Sequence, residues 1–426
     1  MSNSSRGQLR GHIEPRLRDA KILMRKALDR VAQPYIDQTV QRVAATATPT
    51  IVQPSQPAFT ETHAALHEAR SIALAAMPSG AETVLSAGAN GLWYFEWFDA
   101  EYGAVPRQIG VEAYLPRPDD LPPNVEWISA DLAGPDGVAS IDSGVVDLVF
   151  SGQNIEHLWP EQIVAFLLES HRVLKPGGWL VVDSPNRGLT AEYQWSMGQH
   201  TVEFTPDEAE ELLTLAGFSV EHLKGAWLCR GRHGLMPLEP TDSSQIEVPT
   251  HRRFALATDR PDDSFIWWAE ARKSGAPDAE RLEKRVRIIF AEAWPERVSR
   301  IKPLEGEPVT LSDGRAGVSM AADRPGYAML GPFMALAAGE YEFSIEVSWY
   351  GATSSGTSIG TFEVIAESEV IASVDFAPTA TKGSTQLTCT VELAEQKFDV
   401  HARLFSSGDA ELSAPLLLKL SPEPWS

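Results

Sequence analysis

The residues of this sequence that could do chemistry begin in a glycine-containing turn. An apolar strand, Val84 to Ala87, runs into this turn, which holds Gly88, Asn90 and Gly91, and an aromatic helix start follows. Small residues let the backbone approach a ligand closely, and the N–H groups of a helix start face it. About 20 residues on, Glu112 ends the next strand, where a carboxylate can accept hydrogen bonds from ribose hydroxyls. The spacing indicates a nucleotide-type binding site.

Further polar candidates follow the next two predicted strands. Asp131 ends the strand that starts at Val125, and Leu132 comes directly after it. The strand Gly144 to Ser151 is mostly apolar, as expected of a strand buried on both faces. Its loop carries a dense run of polar side chains, namely Gln153, Asn154, Glu156 and His157. His200 stands shortly before a capping box that begins at Thr205.

The elements that must position these residues alternate between strand and helix. Helices are predicted over 61–77, 161–174 and 206–216, and later strands over 179–183, 218–221 and 264–272. Such alternation at short spacing is typical of a doubly wound parallel sheet. In the last strand Trp267 and Trp268 are adjacent, so they point to opposite faces, and we expect one of them to meet another domain or solvent.

The pattern changes after residue 303. Tyr341, Phe343, Ile345 and Val347 alternate with polar residues, and two later segments repeat this period of two. With glycine-rich turns between them, they predict an all-β antiparallel sandwich. We therefore expect an N-terminal helical extension and linker (1–57), an α/β domain (58–275), a connector helix (276–303) and the sandwich (304–426).

Composition limits the function further. The 426 residues carry a net charge of −22, which argues against general nucleic-acid binding. No apolar run reaches the length of a membrane helix and no signal-peptide core is present, so a cytoplasmic protein is expected. Residues 15–33 form a basic amphipathic pattern. Packing on the same domain or in a homo-oligomer is the favoured interpretation, and contact with an anionic membrane surface is the alternative.

From residue 60 to about 272, the order of these features resembles the class I S-adenosylmethionine-dependent methyltransferases, which have a Rossmann-like fold. The turn Arg172 to Gly178, reading RVLKPGG, is one of the more specific matches, whereas Ser86 and Asn90 depart from the usual acid and glycine of the first motif. The resemblance implies S-adenosyl-L-methionine as the cofactor. The positions that it assigns to the cofactor are Gly88, Asn90, Gly91, Glu112, Asp131, Leu132, Ser151, Gln153 and Asn154.

Methyl transfer is an in-line displacement, so a base matters mainly when the acceptor is a hydroxyl. His157 is the first candidate for the base, because the loop after the fourth strand borders the methyl group in this family. The alternative is that His157 only organises the following helix. His200 could face the acceptor or anchor its loop. Asp183 and Asn186 could help to hold a metal, but solvated loop groups are the commoner explanation, and we expect no metal.

The sandwich loosely resembles the jelly-roll modules of carbohydrate-active proteins. The resulting hypothesis is an O-methyltransferase that acts on a sugar or glycan acceptor of the polysaccharide type, with the sandwich aiding substrate binding or assembly. One alternative is a small-molecule or natural-product methyltransferase whose sandwich only dimerises the protein. Another is a non-catalytic glycan-binding or scaffold protein, which the altered first motif leaves open.

Overall fold

The computed structural model describes residues 57–240, 247–352 and 356–425. Of the predicted extension and linker over 1–57, residues 1–56 lie outside them, and so does the segment proposed for membrane contact, 15–33. The chain divides into two compact units, one containing residues up to Arg70 with Leu238–Pro240, and the other containing the remainder. The first described helix, α1, is Pro57–Ala75. None of the helices within these ranges is both long and apolar enough to cross a membrane.

The second unit contains the predicted α/β sheet. It has seven strands in the order β3-β2-β1-β4-β5-β9-β6. The first five are parallel to one another, and β9 runs antiparallel to both of its neighbours. The strands are β1 (Thr83–Ala87), β2 (Arg107–Glu112), β3 (Val125–Ser129), β4 (Val146–Gly152), β5 (Leu174–Pro185), β6 (Phe218–Leu228) and β9 (Ser264–Lys273), while β7 (Arg230–Gly231) and β8 (Gly234–Leu235) form a separate small hairpin.

Helices separate these strands along the chain. They are α2 (Leu92–Glu101), α3 (Pro160–Val173), α4 (Arg187–Glu192), α5 (Pro206–Leu215) and α6 (Thr250–Ala257). The capping box predicted at Thr205 is present, because its hydroxyl accepts from the Glu208 N–H and the Glu208 carboxylate accepts from the Thr205 N–H. The element pattern of the sequence is therefore confirmed in this half of the chain.

The sheet is buried on both faces. On β4, Leu148 and Phe150 join the core beneath the aromatic helix α2, whereas Val149 joins the core beneath α3 and α5. The same alternation places Trp267 and Trp268 in these two different cores, and both are fully buried. The expectation that one of them would meet another domain or solvent is wrong, since helices cover both faces at this point.

The C-terminal region consists of two antiparallel sheets. One has the order β10-β13-β18-β15-β16, and the other β11-β12-β19-β14-β17 with β20 pairing to β14. The predicted alternation is confirmed on β14, where Tyr341, Phe343, Ile345 and Val347 are buried. The bounds are β10 (Lys302–Pro303), β11 (Glu307–Thr310), β12 (Ala316–Met320), β13 (Gly326–Leu336), β14 (Gly339–Tyr350), β15 (Gly360–Ala366), β16 (Glu369–Phe376), β17 (Lys382–Leu393), β18 (Lys397–Ser406), β19 (Glu411–Pro415) and β20 (Lys419–Ser421).

Helix α7 (Ala279–Val298) joins the two halves. It begins at Asp278, whose side chain accepts from the Arg281 N–H, and it packs against α3 and α5. Its buried face includes Phe290 and Trp294, and both rings contact Trp425 from the C-terminal segment. One continuous apolar core runs from the α/β sheet through α7 into the sandwich. The sandwich is thus fused to the α/β half by burial of apolar surface.

Candidate functional site

The glycine turn lies at the carboxyl end of β1 and needs its glycines. Gly88 has φ 76° and Gly91, which caps α2, has φ 82°, so both occupy a region that side chains disfavour. The Gly88 N–H donates to the Val111 carbonyl at 3.0 Å, which ties the turn to β2. A Cβ on Gly88 would lie 2.8 Å from Oδ1 of Asn154. The glycine turn therefore lies against the loop after β4, as expected of a binding site formed by both. The side chain of Asn90, also in the turn, is exposed.

Gly110 is a residue that the sequence reasoning missed. It lies on β2, and a Cβ there would approach Cζ of Phe95 to 2.5 Å and Cβ of Ala89 to 3.0 Å. Only a glycine lets α2 and the turn pack this closely against β2. The apolar residues around Gly110 do not predict this close packing, because the contact joins β2 to α2 and to the glycine turn, which are separate in sequence.

Glu112 and Asp131 stand at the ends of neighbouring strands β2 and β3. Oε1 of Glu112 accepts from the N–H groups of Tyr114 and Leu115 at 2.8 and 3.1 Å. Oδ1 of Asp131 accepts from the Ala133 N–H, and its Oδ2 accepts from Nε2 of Gln162 at 3.0 Å. Both carboxylates are thereby oriented by their own loops or by α3. Leu132, in contrast, is buried in the apolar core.

The loop after β4 is held against β5. Gln153 has φ 55°, its N–H donates to the Asp183 carbonyl, and its Nε2 donates to Oδ1 of Asp183 at 2.6 Å. Nδ2 of Asn154 donates to the buried Ser151 hydroxyl at 3.3 Å. Asp183 and Asn186 are not solvated loop groups, because both are buried and the Asn186 side chain caps α4. The hydrogen bonds of Gln153 and Asn154 hold the loop, with its positive φ at Gln153, next to the glycine turn.

Three side chains that are distant in sequence come together beyond this loop. Metal-ligating atoms of Glu156, His157 and His200 all lie within 4.8 Å of one another. The two imidazole rings pack edge to face with their centroids 4.8 Å apart. The loop that carries His200 is bound to the β4 loop, since the N–H and hydroxyl of Thr201 both donate to the Glu156 carbonyl.

Burial dominates the electrostatics of this cluster. The Glu156 carboxyl is fully buried, and burial raises its pKa to about 8, although hydrogen bonding from its own backbone and from the Ser184 hydroxyl opposes this shift. Burial, assisted by the neighbouring His200, lowers the pKa of His157 to about 3. Burial also lowers the pKa of His200. Both histidines are thus neutral at pH 7, and His157 is a much weaker proton acceptor than an ordinary imidazole.

His200 is anchored by a buried ionic group. Its Nδ1 lies 3.0 Å from Oε1 of Glu203, and Glu203 pairs with Arg300 at 3.1 Å and Arg297 at 3.8 Å. Although burial opposes ionisation, Arg300 and Arg297 hold the pKa of Glu203 well below its ordinary value. Arg297 also donates to the carbonyls of Met197 and His200. The end of the connector helix therefore fixes the loop that carries His200.

The turn between β17 and β18 and the start of β18 in the sandwich border the same region. The Phe398 ring packs edge to face on Tyr114, with centroids 5.8 Å apart. The Asp399 N–H donates to the Gly198 carbonyl at 2.9 Å. Gln396 accepts from Nε1 of Trp159 at 3.1 Å. The sandwich thus contacts the loops after β2 and β4 and the loop that carries His200.

Comparison with known proteins finds a family match within the α/β half. Residues 116–182 match the family model described as a methyltransferase domain. This segment contains Asp131, the loop after β4 and His157, and it ends in β5. It does not include the glycine turn.

Individual relatives agree over a limited length. A probable S-adenosylmethionine-dependent methyltransferase of Mycolicibacterium smegmatis is 39% identical over 102 residues, covering 21% of this chain and 37% of that protein. One from Mycobacterium tuberculosis is 37% identical over 103 residues, covering 22% and 34%. The chain thus spans about a third of the length of the curated relatives it matches. The crystal structure of an Archaeoglobus fulgidus SAM-dependent methyltransferase is 18% identical, covers 50% of this chain and 94% of that one, and has a TM-score of 0.36.

Proposed function

We propose that this chain, whose α/β half has the Rossmann-like methyltransferase fold, is an S-adenosyl-L-methionine-dependent methyltransferase. The observation that carries the proposal is the convergence of the glycine turn, Glu112 and the loop after β4 at the carboxyl ends of β1, β2 and β4. In open α/β sheets this edge is where ligands bind. The family match over residues 116–182 supports the same activity.

The residues present fit this cofactor. Asn154 fills the space that a side chain on Gly88 would need, so the turn and the loop after β4 lie close together at the site. Oε1 of Glu112 is satisfied by two backbone N–H groups, which leaves Oε2 to accept from ribose hydroxyls. When bound, the cofactor supplies a methyl group on a sulfonium. The contribution of the chain is to align an acceptor with that group and to exclude water.

A hydroxyl of a sugar or glycan is the acceptor that we propose. Two features support it, namely the paired histidines His157 and His200 beyond the β4 loop and the Tyr114–Phe398 ring pair contributed jointly by the α/β half and the sandwich. Tyr114 is 74% exposed, and exposed aromatic faces stack well on sugar rings. The sandwich then acts as one wall of the acceptor site and need not be a separately tethered binding module.

Calorimetry with S-adenosylhomocysteine tests the cofactor site. The full chain should bind it, and Glu112→Ala should weaken binding by roughly 1–3 kcal/mol through loss of charge-assisted hydrogen bonds. Glu126→Ala serves as the control, because Glu126 lies on the adjacent strand and pairs with Arg107 in solvent. Absence of binding by the folded wild-type chain would refute the proposal. Equal affinity of the Glu112 and Glu126 variants would refute the role of Glu112.

A further inference from the structure

The arrangement of Glu156, His157 and His200 brings one potential metal-ligating atom of each side chain within 4.8 Å of the others. Oε1 of Glu156 lies 4.0 Å from Nε2 of His200, which is beyond hydrogen-bond distance. The Glu156 carboxyl is fully buried, and the Ser184 hydroxyl and its own backbone compensate little of the cost of burying it, since its pKa stays raised. A group of this kind is retained where something absent from the chain itself satisfies it.

Both imidazoles are held through Nδ1, and the Gln153 backbone is a second, weaker hydrogen-bond partner of the His157 ring. Nδ1 of His157 lies 3.1 Å from the Gln199 carbonyl, and because a carbonyl only accepts, that nitrogen carries the proton. Nδ1 of His200 lies 3.0 Å from the Glu203 carboxylate, which likewise accepts. A neutral imidazole protonated at Nδ1 has its lone pair on Nε2. Histidines that ligate metals are oriented in this way, by a carbonyl or carboxylate on the other nitrogen.

The geometry points to a site for one divalent transition-metal ion, bound by a Glu156 oxygen and by Nε2 of both His157 and His200. Two imidazoles and one carboxylate suit ions such as Zn²⁺, Co²⁺ or Fe²⁺ better than Mg²⁺, which prefers oxygen ligands. Bonds of about 2.1 Å place ligand atoms roughly 3–3.5 Å apart. The ligand atoms, now within 4.8 Å of one another, would therefore draw together by up to about 1.5 Å.

Three protein ligands leave coordination positions open, as in catalytic sites. This part of the inference rests on the proposed methyl transfer. An acceptor hydroxyl bound at an open position is acidified by the ion and releases its proton to water. Its oxygen then forms the bond to the methyl carbon as the carbon–sulfur bond breaks, with the electron pair remaining on sulfur. In this arrangement His157 is a ligand, which replaces its predicted role as the base and the expectation of no metal.

Metal binding by the full chain tests the site independently of catalysis. After treatment with a chelator, the protein should bind one Zn²⁺ by calorimetry, and Co²⁺ should give a visible absorption band. Glu156→Gln and His157→Gln should each raise the Kd about 100-fold or more, since each removes a direct ligand. His222→Gln, on the exposed side of β6, is the matched control and should leave the Kd unchanged.

Circular dichroism of each variant checks that the fold is retained, and Glu156→Gln preserves the shape of the side chain. Equal Zn²⁺ affinity for wild type and Glu156→Gln, or no saturable binding by the folded wild-type chain, would overturn the metal site. Calorimetry with S-adenosylhomocysteine separates this result from the proposed function. If the cofactor product fails to bind while Zn²⁺ binds at these residues, the function is refuted and the metal site stands.

Discussion

Replacing Gly88 by alanine tests whether the glycine turn forms part of the cofactor-binding site. An alanine at φ 76° costs about 1–2 kcal/mol of stability because of backbone strain. Its methyl would also lie 2.8 Å from Oδ1 and 3.0 Å from Cγ of Asn154, which is overpacking worth about 1–3 kcal/mol. Gly88→Ala should therefore lower the free energy of unfolding by about 2–5 kcal/mol.

Gly80 provides the matched control. Its φ is 104°, and an added Cβ there would meet nothing within 4 Å, so Gly80→Ala has the strain without the overlap. Urea unfolding compares the two variants, and the difference between them measures the contact with Asn154.

Cofactor binding gives the second readout. We expect Gly88→Ala to weaken S-adenosylhomocysteine binding at least ~10-fold, a loss of about 1.4 kcal/mol, whereas Gly80→Ala leaves it unchanged. The double variant Gly88→Ala/Asn154→Ala should recover most of the excess destabilisation, because the overlapping side chain is gone. The reasoning fails if the two single variants match in both stability and affinity.

Three further changes probe the surroundings of the site. Gly198→Ala places a Cβ 1.6 Å from a carboxylate oxygen of Asp399 on β18 and should lower stability by about 1–3 kcal/mol, whereas a Cβ on Gly275 meets nothing within 4 Å. Glu203→Gln removes the close counter-charge of buried Arg297, whereas Arg300 keeps its pair with Glu296, so urea unfolding should show a loss of about 3–5 kcal/mol. Asp147 has a lowered pKa although burial opposes it, because Lys175 and two N–H groups bond to it. Ionised Asp147 therefore stabilises the fold above pH 4, and this stabilisation is lost as pH falls through the pKa of the folded state. Asp147→Asn should flatten the acid side of a plot of the free energy of unfolding against pH.

Each of these changes has a contrary outcome. Equal melting temperatures for the Gly198 and Gly275 variants would mean that the start of β18 does not constrain the loop that carries His200. A Glu203→Gln protein as stable as wild type would show that the buried arginines are compensated by other groups. An unchanged acid limb for Asp147→Asn would place the acid sensitivity of the fold in other carboxylates.

The α/β fold was predictable because its signals are local. Period and capping residues marked the helices and strands, and the box at Thr205 was read correctly from four adjacent residues. Their adjacency in one strand places Trp267 and Trp268 on opposite faces of the sheet, but it does not predict that both are buried. Burial depends on whether helices cover both faces of the sheet, and no local pattern states that.

The sequence by itself determined the order of elements, the two kinds of architecture and the glycine turn with its acid at Glu112, since each depends on residues near one another in the chain. Only the tertiary structure decided which distant groups meet. It brought His200 to Glu156 and His157, fixed that loop through Glu203 and the end of the connector helix, and set the start of β18 against Tyr114. These contacts follow from long-range packing around one shared core, in which spacing along the sequence carries no information about distance.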